Sequence, residues 1–108
     1  MKSVNDALIR PLALGVVWRD DSILVFEGYD HVKNEAFYRP LGGGINFGER
    51  SREALRREFR EELGVELTDV RYMDTLENIF TCNGQRGHEI ILLYEATLAD
   101  RSFYARET

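Results

Sequence analysis

The sequence is poor in the residues that build several kinds of site. It contains one cysteine, Cys82, in 108 residues. A lone thiol closes no internal disulfide and supplies no cysteine-based zinc centre. A reduced, cytoplasmic setting is the expectation that goes with it. Its two histidines, His31 and His88, have no companion ligands beside them, and each reads as structural. Basic charge is in deficit: the net charge is −5. That balance lacks the footprint of a nucleic-acid binder, whose contacts are mostly to phosphate. An acidic chain still takes a phosphorylated small molecule when a metal ion sits between them. Long apolar runs are missing too. Leu12 to Trp18 is too short to cross a bilayer, and no small-residue cleavage pattern follows it, so neither membrane span nor signal peptide is expected. Repeats, low-complexity tracts and linkers are absent, so one domain over residues 1–108 is expected.

What is present reads as an ordinary folded domain. Hydrophobic residues make up 44% and charged residues 31%, enough for a core of modest size. Leu12 to Trp18 and Ile23 to Glu27 are strand-like, and Arg19 to Ser22 between them is turn-like, which predicts a β-hairpin. Glu27 to Ala36 is polar without a period and predicts a loop. Phe37 to Leu41 predicts a short strand, with Pro40 marking an edge or an end. Gly42 to Gly44 should break regular structure. Ser51 to Leu63 predicts a helix closed by Gly64. Leu55, Phe59 and Leu63 form its apolar stripe, and Arg52, Arg56 and Arg60 should face water. Two more strands are expected, about Val70 to Phe80 and Glu89 to Thr97, joined through Cys82 to Gly87. Trp18 reads as core or turn packing, and Glu89 and Glu95 as exposed. Strands, helix, strands in that order imply a sheet with a helix on its face.

The helix carries Glu58, Glu61 and Glu62 within an arc of about 100° that borders the apolar stripe. Like charges at these spacings repel. Neighbouring arginines offset part of this, leaving a solvated, salt-bridged face as the bland reading. A hard divalent cation is the other, because carboxylate oxygens suit magnesium and manganese. The glycines ahead of the helix favour the second reading. Such a turn lets backbone groups approach a ligand closely, although alone it is also just a tight turn.

Together these residues spell a pattern: Gly43, five residues, Glu49, seven residues, then Arg57-Glu58-Phe59-Arg60-Glu61-Glu62-Leu63-Gly64-Val65. This resembles the Nudix box of the Nudix hydrolases at every specified position. The resemblance implies an α/β fold of α+β type, a mixed β-sheet sandwiched by helices. It implies divalent-metal-dependent hydrolysis of a pyrophosphate bond, in a nucleoside diphosphate linked to another moiety. Carried over by position, Glu58, Glu61 and Glu62 resemble the metal ligands, with a backbone carbonyl of Gly42 or Gly43 beside them, and Mg2+ or Mn2+ as the ion. Arg57 is similar to the arginine that orients a glutamate, with Glu49 as its salt-bridge partner. Glu61, Glu58 and Arg57 are thus the catalytic candidates, and Glu61 is a candidate base as well as a ligand. Gly43, Gly44, Arg39 and Tyr38 are the candidates for substrate binding. Glu107 is a weaker candidate for the later-loop glutamate that helps in many members. The partner implied is a small nucleoside diphosphate derivative, not a nucleic acid, with a homodimer left open.

The resemblance also implies a further helix packed on the sheet after the second hairpin. No such pattern follows Asp100, so a truncated or incomplete domain is the expectation. Subfamily marks are missing: no proline follows Val65, and Ile79-Phe80-Thr81 stands where a tyrosine would suggest dinucleoside polyphosphates. A Nudix-fold nucleotide sensor without turnover is the alternative reading.

Overall fold

The computed structural model describes residues 8–100 and Ser102. Its elements in chain order are β1 (Arg10–Val16), β2 (Trp18–Arg19), β3 (Ser22–Ile23), β4 (Val25–Asp30), β5 (Glu35–Gly44), α1 (Ser51–Leu63), β6 (Leu67–Cys82) and β7 (Gln85–Leu98). The position of β1 follows from its side chains. Leu12 to Val17 is buried without interruption, and a strand covered on both faces belongs inside a sheet. β1 is the central strand of five, in the order β4-β5-β1-β7-β6. It runs parallel to β7 and antiparallel to β5. The sheet is therefore mixed, and with α1 on it the fold is of the α+β type. Among the described residues α1 is the one α-helix, so the expected sandwich is met on one face there. Among the described residues no helix is long and apolar enough to cross a membrane.

Burial divides the sheet into two faces with the period of two expected of strands. On the helix side, Ala13 of β1 and Val17 just after it join Leu55 and Phe59 of α1 and Tyr94 of β7 in one cluster. On the other side, Leu12, Leu14 and Ile91 form a smaller cluster with Leu93. Phe59, Leu12 and Leu55 are the largest fully enclosed side chains. Each contributes about 1.5–3 kcal/mol by leaving water.

Several local expectations change. The hairpin expected between Leu12–Trp18 and Ile23–Glu27 shrinks to the two-residue ribbon β2–β3, because a doubly covered β1 takes its partners from β5 and β7. The loop expected over Glu27 to Ala36 is mostly strand: β4 and β5 pair from Asp30↔Glu35 through Val25↔Pro40. Only the four residues between them turn. The Asp30 carboxylate, buried there, accepts from the amides of Val32 and Lys33 at 2.9 and 3.0 Å. Those bonds hold its pKa below the usual carboxylate value, the Lys33 amide first. Pro40 is not at an edge. It is where β5 passes from β4 to β1, whose pairing begins at Gly15↔Leu41. Gly42 to Gly44 do not break the strand; they pair with Leu14, Ala13 and Leu12. The last two strands are longer than their apolar stretches. They meet at Asn83-Gly84, both at positive φ, the conformation of a two-residue hairpin turn.

Candidate active site

α1 spans the predicted residues, and Gly64 closes it in the left-handed conformation at φ 68°. At its start Glu53 accepts from the amide of Arg50 at 2.9 Å, satisfying a donor that the helix leaves unpaired. Ala54, Leu55 and Phe59 face the sheet. Arg56 does not simply face water: it is half-buried and donates to the carbonyl of Leu67 at 2.6 Å. Arg52 likewise reaches the carbonyl of Val70 at 2.5 Å. These arginines tie the helix to the opening of β6.

The other edge of the helix carries a network centred on Arg57. Its Nε donates to Glu49 Oε2 at 2.7 Å and its Nη2 to Glu49 Oε1 at 3.0 Å, a two-pronged pair. Nη2 also reaches the carbonyl of Gly44 at 2.9 Å. Nη1 donates to Glu58 Oε2 at 3.0 Å and Glu61 Oε1 at 3.2 Å. Planar guanidinium geometry suits such a multi-armed role. The Arg57 bonds, with a 3.0 Å bond from the Asn46 amide, hold the Glu49 carboxyl down at about 2. Reciprocally, Glu49 raises the pKa of Arg57 further above its ordinary value.

Glu58 is placed by a glycine. A Cβ on Gly43 would lie 2.6 Å from the Glu58 carboxyl carbon, so the carboxylate rests against bare backbone. Gly42 is demanded by the fold itself: its φ is +145°, and a Cβ there would come within 2.0 Å of the Ala13 carbonyl oxygen. Glu58 is 17% exposed and Glu61 59%. Glu62 is held above the usual carboxylate value, first by loss of water and then by the charges of Glu58 and Glu61. Three mutually repelling carboxylates beside a glycine backbone are a donor set that suits a hard divalent cation. Among the described residues no three His, Cys, Asp or Glu side chains stand converged for a metal ion; Arg57 Nη1 lies between two of the carboxylates.

The remaining candidates lie elsewhere or differ from expectation. Tyr38 is exposed and donates to Glu27 at 3.3 Å. Arg39 turns toward Glu89 at 3.8 Å. Both line a cavity of about 490 Å3 with Phe37, Phe80 and Glu89. Glu89 is not exposed as expected: it is 3% exposed. It sits on the inner sheet between β1 and β6, opposite Arg10 and Asn78, and nothing in a single strand's pattern reveals which neighbours cover it. Glu95 is half-buried and accepts from Trp18 at 2.9 Å and Arg71 at 2.7 Å. Trp18 is half-exposed and outside the core. His31 lies tilted against the Tyr29 ring, and His88 pairs with Glu77. Glu107 lies outside the described residues.

Comparison with known proteins agrees with the box and the sheet. The NUDIX domain model matches residues 9–103, and the chain belongs to the Nudix hydrolase family. It is 36% identical over 73 residues to the nucleoside triphosphatase NudI of Escherichia coli and of Shigella flexneri, covering 61% of this chain and 52% of theirs. The chain thus spans about half the length of these curated relatives. Its fold is similar to a MutT NUDIX hydrolase from Burkholderia pseudomallei, with a TM-score of 0.67 and 24% identity over 83% of this chain and 67% of that one. A NUDIX hydrolase from Nitrosomonas europaea matches with a TM-score of 0.65 and 19% identity, over 86% and 61% of the two chains.

Proposed function

We propose that this chain is a divalent-metal-dependent pyrophosphohydrolase, cleaving a nucleoside diphosphate linked to another group. A nucleoside triphosphate, the substrate class in the name of its relatives, is the simplest such compound. The observation that carries the reading is the Arg57 network, which gathers Glu49, Glu58, Glu61 and the Gly44 carbonyl at one end of β5.

Glu58, Glu61 and Glu62 would hold Mg2+ or Mn2+, with the Gly42–Gly43 backbone beside them. When bound, such an ion neutralises phosphate charge and acts as a Lewis acid. The protein's own residues do the rest. Arg57 holds Glu58 and Glu61 on one side of the helix, which limits the movement they need to converge on the ion and the substrate. The bond to Arg57 engages Glu61 Oε1, which leaves Oε2 to take the proton of an attacking water. Glu49 holds Arg57 from behind and touches no substrate.

The test is pyrophosphate-bond cleavage over a panel of nucleoside di- and triphosphate derivatives, with magnesium and with EDTA. Cleavage should need the metal, and Glu61→Gln should abolish it while leaving the circular dichroism and melting unchanged. Equal turnover in that variant would remove the site assignment. Nucleotide binding without any cleavage would make the chain a sensor.

A further inference from the structure

The cavity on the sheet face away from α1 contains a buried carboxylate oxygen that no hydrogen-bond donor reaches, Glu89 Oε1. Its two cationic neighbours stand off: Arg39 Nη2 at 3.8 Å from Oε1, and Arg10 Nη1 at 3.9 Å from Oε2. Both distances exceed hydrogen-bond range. Leaving a buried carboxylate oxygen without a donor is costly, and such exceptions in folded proteins call for a reason.

The walls around it suit a flat ring. Phe37 lies across from Gly28, and a Cβ on Gly28 would come within 2.3 Å of the Phe37 ring. Phe80 lies across from Gly87 with the same 2.3 Å approach. Each phenyl ring therefore lies down over a cross-strand glycine, an arrangement that pins it to the sheet. Both rings line the cavity with Glu89. Its volume, about 490 Å3, is within the range of small-molecule sites. β5 connects the two regions: from Arg39 to Gly43 it advances roughly 13 Å at ~3.3 Å per residue, a spacing that a nucleotide's sugar and phosphates bridge.

We infer that this cavity takes the base of the nucleotide and that Glu89 is a specificity-determining residue, accepting an N–H from an amino-bearing base. The inference rests on the proposed function, which makes the substrate a nucleotide. A carboxylate only accepts hydrogen bonds. Adenine, cytosine and guanine offer it an exocyclic amino group at the ring's edge. Uracil and thymine offer one ring N–H flanked by two carbonyl oxygens, which a carboxylate repels. Flat phenyl faces provide stacking that any base satisfies, so selection falls to Glu89.

Cytidine and uridine differ at that edge by an amino group against a carbonyl. The test titrates the full chain with each nucleoside in EDTA, following the ring resonances of Phe37 and Phe80. Cytidine should bind about tenfold tighter or more, the size of one charge-assisted hydrogen bond. Glu89→Gln, which keeps the shape and removes the charge, should bring the ratio close to one. Equal binding of both nucleosides by the wild type, no perturbation by either, or an unchanged ratio in Glu89→Gln would overturn the inference. The wild-type ratio decides even where the variant does not fold. Nucleosides carry no phosphate and EDTA removes metal, so this outcome is independent of whether Glu61→Gln abolishes hydrolysis.

Discussion

Arg57 grips Glu49 with two nitrogens, at 2.7 and 3.0 Å, across eight residues of chain. The pair spans the loop between β5 and α1, so it fixes where the helix starts relative to the glycines. Arg57 then has arms left for Glu58, Glu61 and the Gly44 carbonyl. One guanidinium therefore sets the loop and two of the carboxylates together.

This pairing has a pH signature. The Glu49 carboxyl is lowered from 4.5 to about 2 on folding. A lowered carboxyl contributes stability that is present above its unfolded value and lost as pH falls toward its folded one. Wild-type stability should decline between 4.5 and about 2, and Glu49→Gln should flatten that part of the decline. Denaturant melts across this window measure it. Arg57→Lys should flatten it too, because lysine keeps the charge but cannot make the two-pronged bond.

Gly42 and Gly43 should respond to alanine in different ways. At Gly42 the new methyl meets backbone and the φ is +145°, so Gly42→Ala should cost ~2 kcal/mol or more of stability. At Gly43 the three nearest atoms all belong to the Glu58 carboxylate, the far end of a flexible side chain, which can shift by giving up its place beside Arg57. Gly43→Ala should stay folded with near-normal melting, yet lose turnover on the order of 100-fold through the displaced carboxylate. Thermal melts and kcat measured on both variants separate the two roles.

Glu62 illustrates a conflict between stability and site. Its carboxyl is raised by partial loss of water and by Glu58 and Glu61, so its ionised form weakens the fold as pH rises through that value. In metal-free buffer at neutral pH, Glu62→Gln should therefore be the more stable protein, by roughly 0.2–0.5 kcal/mol. The gain should vanish below the ordinary carboxylate range, and turnover should fall. Paired melts and activity assays on the variant check both signs.

Much of this was written locally. The helix from Ser51 to Leu63 and its close at Gly64 depend on side chains and caps within a few residues of each other, so its ends are legible in the chain. The clustering of Glu58, Glu61 and Glu62 follows in the same way from helical spacing. Strand partners are a different matter. Leu12 to Val17 reads equally well as half of a hairpin or as a central strand, and only burial on both faces decides for β5 and β7. The polar stretch around β4 and β5 has no apolar period, because an outer hairpin of the sheet does not need one. Glu89 is the sharpest case. Along the sequence it is one polar residue at the edge of an apolar strand, and Phe37 and Phe80 are separate strand residues. Cross-strand pairing with Gly28 and Gly87 lays those two rings beside it, and the sheet encloses its carboxylate. Local spacing thus determined the helix and the clustering of its carboxylates. Long-range pairing decided where the sheet's charges are buried, because burial depends on neighbours that are remote along the chain.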